Sequence, residues 1–308
     1  MVQNFEDLLS TALKVKGKRV VVIFPNNDET FQAIKDAYNI DLARFTLVGD
    51  ETVIRKIIGE YDPARLEIVH EANVMIALKK AVAIVSEGKG DILLKGSVDT
   101  STMMKAVLNE EAHIRTGKLL SDIFILEYPA RLKNKFVMIT DGGMTLAPDL
   151  KNKIDLINNA VEVAHALGNP MPKVAVLSAT EMVLPNLQST LDAAALSKMN
   201  ERGQIKGCIV DGPFGLDNAI SWEAAVEKGI KSPVAGLAEI LIAANIESAN
   251  SLAKSTTFFA GLRLAHVIIG GRVPILISSR ADKSEAKLLS VALGVIMSDY
   301  YAKTNMYD

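Results

Sequence analysis

Cysteine, aromatic residues and an excess of charge of either sign are all scarce in this sequence. One of the 308 residues is cysteine, 5% are aromatic, and 34 basic against 36 acidic side chains leave a formal net charge of -2. Such a balance removes any broad electrostatic attraction to nucleic acids or anionic membranes. The single cysteine, Cys208, cannot form a disulfide within the chain, which is typical of a reducing compartment. We therefore expect a cytoplasmic protein without a nucleic-acid or membrane partner.

Long apolar runs and linker-like segments are also missing. No stretch approaches the roughly 20 apolar residues of a membrane-spanning helix. The N-terminal stretch has acidic residues before its lysines and no apolar core, so we do not expect a signal peptide. The length exceeds the usual size of one hydrophobic core, and two domains are expected. Because no Gly/Ser-rich or Pro-rich linker marks the border, the turn-rich segment 128–135 is the candidate for it.

Short apolar strands alternate with helical segments along the whole chain. Clear strands are RVVVIF, FTLVG, LEIVH, DILLK, KVAVLSA, GCIVD, EILIA, HVIIG and PILIS. Repeated βα units of this length predict an α/β fold with a parallel sheet covered by helices. The strands are apolar throughout, as in a sheet buried on both faces. DIFILEY and FVMIT follow one another directly and are expected to be neighbouring strands.

Polar side chains follow two of these strands where a phosphate could bind. Ser279 and Arg280 come directly after PILIS and precede an acidic-first helix. After DILLK, a glycine permits close backbone approach, and one of the hydroxyl residues at 100–102 is expected to cap the next helix. An ordinary capped loop is the open alternative for this second segment. The candidate phosphate ligands here are Lys95, Gly96, Ser97, Thr100 and Lys105.

The segment HIRTGK carries Arg115 and Thr116 and resembles part of a nucleotide-binding loop. Ala112 stands where a P-loop requires its first glycine, so a nucleoside-triphosphate site is not expected. Arg115 could bind an anion through two parallel hydrogen bonds, although a solvated surface arginine is the commoner situation.

Acidic residues and histidines give no clear metal site. Asp211 and Asp141 end strands, where active-site groups gather in α/β sheets, and Asp217 is most simply a helix cap. Asp211 keeps acid-pair chemistry or a divalent metal open as alternatives. The histidines show no metal-ligand spacing and are interpreted as structural, and Cys208 as a buried strand residue. The four histidines are His70, His113, His165 and His266.

Several long segments resemble one enzyme family. They are DILLKGSVDTSTMMKAVL, HIRTGK, STLDAAALSKMNERGQIKGCIVDGPFGLDNAIS, KSPVAGLAEILIAANIE and SRADKSEAKLLSVAL. Together they are similar to the phosphate butyryltransferase branch of the phosphate acetyl/butyryltransferase family. The similarity spans nearly the whole chain, and the block 189–221 is the most specific.

This resemblance implies reversible acyl transfer between coenzyme A and inorganic phosphate, with coenzyme A as a substrate and no bound cofactor or metal. It also implies two α/β/α domains like those of isocitrate and isopropylmalate dehydrogenases, with the active site in the cleft between them. One domain would comprise 1–132 with 273–308, and the other 133–272. A homo-oligomer is expected from the family tendency.

The resemblance further assigns roles to individual residues. Ser279 would hydrogen-bond near the thiol or the tetrahedral oxyanion, and Arg280 would bind phosphate with help from Lys95 and Lys105. Lys105 stands where the acetyltransferase branch has an arginine, which weakens two-point recognition of phosphate. The remaining candidates for binding phosphate or coenzyme A are Arg115, Thr116, Asp211, Asn250 and Lys254.

One departure from the family concerns the general base. In the acetyltransferase branch a catalytic aspartate follows the serine by seven residues, and Ala286 occupies that position here. We take Glu285 as the hypothesis for the base, with Asp282 one turn earlier, or a residue from elsewhere, as alternatives.

Two other functions stay open at this point. A metal- and NAD-dependent hydroxyacid dehydrogenase of related fold would need a cluster of aspartates for its metal. A non-catalytic sensor of coenzyme A or acyl phosphate would keep the phosphate loops and lack a base, which the alanine at 286 slightly favours.

Overall fold

The structure is a computed structural model that describes residues 1–279 and 282–304. These residues form eleven β-strands, eleven α-helices and one 3-10 helix, and the predicted α/β class is confirmed. They divide into two compact units, Met1–Asn4 with Leu119–Leu264 and Phe5–Lys118 with Ala265–Asp308. We call them the 119–264 unit and the 5–118 unit. The domain borders expected after residues 132 and 272 stay a prediction.

The 5–118 unit contains six of the strands. The strands are β1 (Arg19–Ile23), β2 (Arg44–Gly49), β3 (Leu66–His70), β4 (Ile92–Lys95), β10 (Leu264–Ile269, whose first residue belongs to the other unit) and β11 (Ile275–Leu276). The helices are α1 (Phe5–Ala12), α2 (Asp28–Asn39), α3 (Glu51–Ile58), α4 (Val74–Ser86), α5 (Thr100–Val107), the 3-10 turn Glu110–Ala112 and α11 (Ser284–Thr304).

The strand order in this unit is β3-β2-β1-β4-β11-β10. All neighbours are parallel except β10 and β11. Those two are antiparallel because the chain passes from Ile269 to Ile275 in a turn too short for a crossover connection. The middle strands β1 and β4 are almost wholly buried, as expected where helices cover both faces of a sheet.

The 119–264 unit contains the other five strands. The strands are β5 (Ser121–Glu127), β6 (Phe136–Thr140), β7 (Lys173–Leu177), β8 (Ile209–Phe214) and β9 (Ile240–Ile242). The helices are α6 (Leu150–Ala166), α7 (Gln188–Glu201), α8 (Leu216–Ile220), α9 (Trp222–Glu227) and α10 (Ile246–Phe258).

The strand order in this second unit is β5-β6-β9-β7-β8. As expected from the sequence, β5 and β6 are neighbours, and they run antiparallel because only the turn 128–135 joins them. The remaining pairs are parallel. One apolar cluster packs Phe124, Leu126, Ile139, Phe214 and Leu241 together with small residues of α8, α9 and α10.

Within the described part of the chain, no helix combines the length and the apolar character needed to cross a membrane.

Candidate functional site

Three parallel strands of the 5–118 unit end side by side. Ile23 of β1 pairs with Lys95 of β4, and Leu94 of β4 pairs with Leu276 of β11. The segments that follow β4 and β11, which carry Lys95 and Ser279, therefore leave the sheet at the same edge. Carboxyl ends of parallel strands are where α/β proteins bind their ligands.

The backbone after β4 packs tightly on the end of β1. The amide of Gly96 donates to the carbonyl of Ile23 and that of Ser97 to the carbonyl of Phe24, each at 2.9 Å. A Cβ at Gly96 would lie only 2.6 Å from the Phe24 oxygen and also against the Ile23 oxygen. Glycine is thus required here for the close backbone approach that the sequence predicted.

The side chain of Lys95 lies under this loop. It is 6% exposed, and its Nζ donates to the carbonyl oxygens of Val98, at 3.2 Å, and Gly96, at 3.4 Å. Ser97 accepts a hydrogen bond from Asn27, the N-cap of α2, at 3.2 Å. The ammonium and the hydroxyl of this loop are therefore oriented by neighbouring groups.

Asp99, and not a residue at 100–102, caps helix α5, so the predicted cap was wrong. The Asp99 carboxylate accepts from the Thr102 amide at 2.9 Å and from the Ser101 hydroxyl at 2.7 Å. Hydrogen bonds from Thr102 and Ser101 lower the pKa of Asp99. An ionised carboxylate satisfies the helix end better than a hydroxyl does. Thr100 and Lys105 lie exposed on the same helix.

The segment after β11 forms a compact turn. The amide of Ser279 donates to Oδ2 of Asp282 at 2.6 Å, and the amide of Asp282 donates to the Ser279 carbonyl at 3.2 Å. Ser278 is 5% exposed, and its hydroxyl oxygen has no hydrogen-bond partner among the described residues. Arg280, predicted to bind phosphate, lies outside the described residues.

Two buried cationic or titratable groups meet this turn. Lys287, 3% exposed, donates from Nζ to the carbonyls of Ser279 at 2.9 Å and Asp282 at 3.0 Å. Burial lowers the pKa of Lys287. His266 on β10 places Nε2 3.8 Å from Oδ2 of Asp282. Sequence reasoning missed Lys287 and interpreted His266 as purely structural.

Glu285, the hypothesised base, lies exposed in the first turn of α11. The start of that helix is attached to α2 through the Ser284 amide, which donates to a Glu29 carboxylate oxygen at 2.5 Å. Glu285 thus follows Asp282 by three residues, and the catalytic role of Glu285 stays a prediction.

Arg115 and Thr116 lie at the opposite end of β11 from Ser279. The backbone of Arg115 bridges Gly271, and the Thr116 hydroxyl donates to the Gly270 carbonyl, in the turn before β11. Arg115 there lines an open concavity of about 330 Å³ with Glu110, His113, Gly117 and Arg272. These two candidates are therefore not brought to the strand ends where Ser279 and Lys95 lie.

Three further candidates belong to the 119–264 unit. Asp211 on β8 accepts hydrogen bonds from the Ser197 hydroxyl at 3.0 Å and from the Gly212 amide at 2.8 Å. Asn250 on α10 donates to the Gly142 carbonyl at 2.8 Å, and Lys254 is exposed one turn later. Binding roles for these residues stay predictions.

Asp141, at the carboxyl end of β6, is satisfied by backbone alone. Its Oδ1 accepts from the amides of Asp122, Gly143 and Met144, and its Oδ2 accepts from Thr145 at 2.8 Å. Burial raises the pKa of Asp141, and the nearby Asp122 acts in the same direction, while the backbone donors oppose them.

Asp217 and Cys208 belong to the 119–264 unit, and neither is part of a metal site formed by residues 1–279 and 282–304. Asp217 was expected to cap α8, but the N-cap is Gly215 and Asp217 is the second residue of the helix. Its carboxylate pairs with Lys228 at 3.0 Å. Cys208 is buried as expected, although it lies immediately before β8 and not within it, and burial raises its pKa to about 11. Among the described residues, no group of three or more His, Cys, Asp or Glu side chains could hold a metal ion.

A family model, curated relatives and a solved structure each match most of this chain. The family described as Phosphate acetyl/butaryl transferase matches residues 60–295. A phosphate butyryltransferase of Clostridium beijerinckii is 42% identical over 300 residues, which cover 97% of this chain and 99% of the relative. A phosphate acetyltransferase of Thermotoga maritima is 42% identical over 295 residues, covering 96% of this chain and 100% of that one. The crystal structure of a branched-chain phosphotransacylase from Enterococcus faecalis aligns with a TM-score of 0.81 at 30% identity, covering 91% of this chain and 99% of that chain.

Proposed function

This chain belongs to the phosphate acetyl/butyryltransferase family, and we propose that it transfers a short acyl group reversibly between coenzyme A and inorganic phosphate. In the forward direction acyl-CoA and phosphate give acyl phosphate and free coenzyme A. The match over nearly the full length of relatives with this activity in their names is the observation that carries the proposal. We propose a butyryl or branched-chain substrate, because such acyl groups are named in two of the most similar proteins.

The reaction needs a thiolate and a stabilised oxyanion. A thiol with a pKa of about 8.5, by analogy with cysteine, is a poor nucleophile until it loses its proton, so a base and nearby positive charge favour attack. Attack on the acyl carbon places negative charge on the carbonyl oxygen. Loss of one preorganised donor to such an oxyanion typically costs about 3 kcal/mol.

We assign these requirements to the strand ends of the 5–118 unit. Ser279 donates to the thiol sulfur or the oxyanion, and Arg280 binds phosphate. The loop after β4 supplies the ammonium of Lys95 and the cationic side chain of Lys105. The pairing of β1, β4 and β11 in parallel supports this assignment, because it brings the Lys95 and Ser279 loops to one edge of the sheet. Further donors in the same loop are Gly96, Ser97 and Thr100.

The other predicted ligands are proposed to contact the extended part of coenzyme A or the second substrate. They are Arg115, Thr116, Asp211, Asn250 and Lys254. We also propose that the enzyme works without a bound metal or cofactor, so that dialysis against EDTA leaves its rate unchanged.

A cytoplasmic location and a homo-oligomeric state complete the proposal. The single cysteine, which cannot form a disulfide within the chain, supports a reducing compartment. Trp222 and Val226, 56% and 58% exposed on α9, offer apolar surface to a second copy. Light scattering of the purified protein measures the oligomeric state directly.

The decisive experiment measures release of free thiol from butyryl-CoA with and without phosphate. We expect release that depends on phosphate and on enzyme concentration. The same assay with acetyl-, isobutyryl- and isovaleryl-CoA ranks the acyl groups, and one methylene is expected to change the specificity constant by roughly 10- to 200-fold. Binding of coenzyme A without any phosphate-dependent release would contradict the enzyme proposal and support a sensor.

A further inference from the structure

The turn between β11 and α11 binds a carboxylate directly to the proposed catalytic serine. Oδ2 of Asp282 accepts the Ser279 amide at 2.6 Å, while the Asp282 amide closes the turn onto the Ser279 carbonyl. We propose that Asp282 is the catalytic carboxylate that accepts the thiol proton in place of the acid absent at Ala286, and that Lys287 and His266 are its positioning residues. The inference rests on the proposed acyl transfer.

Lys287 connects the two ends of this turn. Its buried Nζ donates to the carbonyl oxygens of Ser279 and Asp282, at 2.9 and 3.0 Å. An ammonium removed from water is costly unless its hydrogen bonds are satisfied, and here the backbone carbonyls satisfy two of three donors. The lysine therefore ties the backbone at Ser279 to the backbone at Asp282 and places a positive charge next to both residues.

His266 on β10 lies close to the Asp282 carboxylate. Nε2 of this histidine, which is 6% exposed, lies 3.8 Å from Oδ2, the oxygen that also receives the Ser279 amide. Oδ1 has no hydrogen-bond partner among residues 1–279 and 282–304. Because Oδ2 already accepts the Ser279 amide, Oδ1 is the oxygen with the greater capacity to accept a proton from a substrate.

The surroundings of Asp282 differ from those of Glu285. The charged and titratable groups around Asp282 are His266 from β10, Lys287 from α11 and Glu29 from α2, which accepts the Ser284 amide. Glu285 is exposed on the helix beyond the turn. A general base needs a defined position relative to the reacting groups, and the hydrogen bond from the Ser279 amide to Asp282 Oδ2 gives this carboxylate such a position.

In the proposed step, the thiol of coenzyme A attacks the acyl carbon of acyl phosphate while Asp282 holds the thiol proton. The thiol proton of coenzyme A passes to Oδ1 of Asp282, and the sulfur electron pair forms a bond to the acyl carbon of acyl phosphate. The bond between that carbon and the phosphate oxygen then breaks, and phosphate leaves with the electron pair. The proton moves from Asp282 to the departing phosphate, which restores the carboxylate and gives acyl-CoA and hydrogen phosphate.

The test measures the rate of acyl-CoA formation from butyryl phosphate and coenzyme A across pH. Asp282→Asn should lower kcat by about 100-fold or more, the usual range for a lost general base, while KM for coenzyme A changes less than about 3-fold. The residual rate should rise with pH as solvent generates the thiolate. Asp299→Asn, on α11 where the side chain pairs with Lys303, is the matched control and should retain the rate.

Lys287→Met and His266→Gln test positioning. Removal of the Lys287 charge raises the pKa of a nearby carboxylate, so the acid limb of the kcat profile should move to higher pH, whereas a purely structural defect would lower the curve without moving it. His266→Gln should lower kcat more than it raises KM. Thermal unfolding and coenzyme A binding check that each variant is folded.

The outcomes separate the two proposals. A wild-type protein that makes no acyl-CoA contradicts the proposed function itself. An active wild-type enzyme whose Asp282→Asn variant keeps its rate and pH profile contradicts only the role of Asp282. A fall in kcat that is larger for Glu285→Gln than for Asp282→Asn would assign the base to Glu285 and overturn this inference.

Discussion

Two aspartates follow buried strands in the two units, yet their carboxylates accept different numbers of hydrogen bonds. Asp141, after β6, receives four backbone amides distributed over both oxygens. Asp282, after β11, receives one amide on a single oxygen. A carboxylate has about four acceptor positions, so the first is saturated by its own fold and the second keeps capacity for a substrate. Position at a strand end therefore does not tell a saturated carboxylate from one that keeps acceptor positions for a substrate, whereas the count of occupied acceptor positions does.

Two glycines, one in each unit, show a related contrast. At Gly143 the atoms that a Cβ would meet belong to the side chain of Asp122. At Gly96 it would meet two backbone carbonyls, which cannot rotate away. The proposed catalytic edge of the 5–118 unit is thus built on backbone contact between β1 and the loop after β4.

The largest stability effect is expected for Gly96→Ala. Two carbonyl oxygens of Ile23 and Phe24 occupy the space that the methyl group needs, so the ends of β1 and β4 must separate. We expect a loss of about 3 kcal/mol in the free energy of unfolding, measured by urea denaturation. Gly59→Ala is the control, since it has a positive φ of 74° but no atom within 4 Å, and should cost about 1 kcal/mol. Equal losses for the two variants would contradict tight backbone packing at Gly96.

Asp141→Asn should have the next largest effect. The substitution replaces one carboxylate oxygen of Asp141 by an NH2 group, which cannot accept a hydrogen bond from a backbone N–H. At least one buried backbone N–H then loses its acceptor, which should lower the free energy of unfolding by about 2 kcal/mol. Asp149→Asn is a matched control in the same unit, because Asn caps a helix as well as Asp and Asp149 is the N-cap of α6. Asp282→Asn should destabilise less than Asp141→Asn, although it lowers activity far more. If Asp282→Asn destabilised the protein more than Asp141→Asn, the conclusion that only the Asp141 carboxylate is saturated by hydrogen bonds would be contradicted.

The sequence predicted the parts of this arrangement that depend on local pattern. Apolar runs identified the strands, and the α/β class predicted from their alternation with helices is confirmed. That the Lys95 and Ser279 loops leave one edge of the sheet is seen in the register of β1, β4 and β11. The family itself, recognised from long sequence blocks, is also confirmed. Roles of individual ligands stay predictions.

The parts that the sequence did not reveal depend on contacts between distant or competing groups. His266 reaches Asp282 only because β10 and β11 are paired. Asp99 outcompetes the hydroxyl residues after it for the cap of α5. Lys287 did leave a signal, since a lysine between Ala286 and Leu288 in an otherwise apolar stretch of α11 must be exposed or must have buried partners.

The smallest effect we predict is the pH dependence that Lys287 gives to stability. Burial lowers its pKa in the folded protein, whereas the unfolded chain keeps the proton up to a pH of about 10.4. Between these two values the unfolded state binds more protons, so the stability of the wild type should rise with pH relative to Lys287→Met. Below the folded-state pKa both states are protonated, and the difference should be constant.

Urea denaturation at a series of pH values between 7 and about 10 measures this difference. Lys79→Met is the control, because it removes the same charge from an exposed position on α4 where burial does not penalise the ammonium. A stability difference for Lys287→Met that falls with pH would mean that the folded protein prefers the charged lysine. In that case the two carbonyl hydrogen bonds would stabilise the ammonium more strongly than burial penalises it, and Lys287 would be a fully satisfied buried charge as Asp141 is.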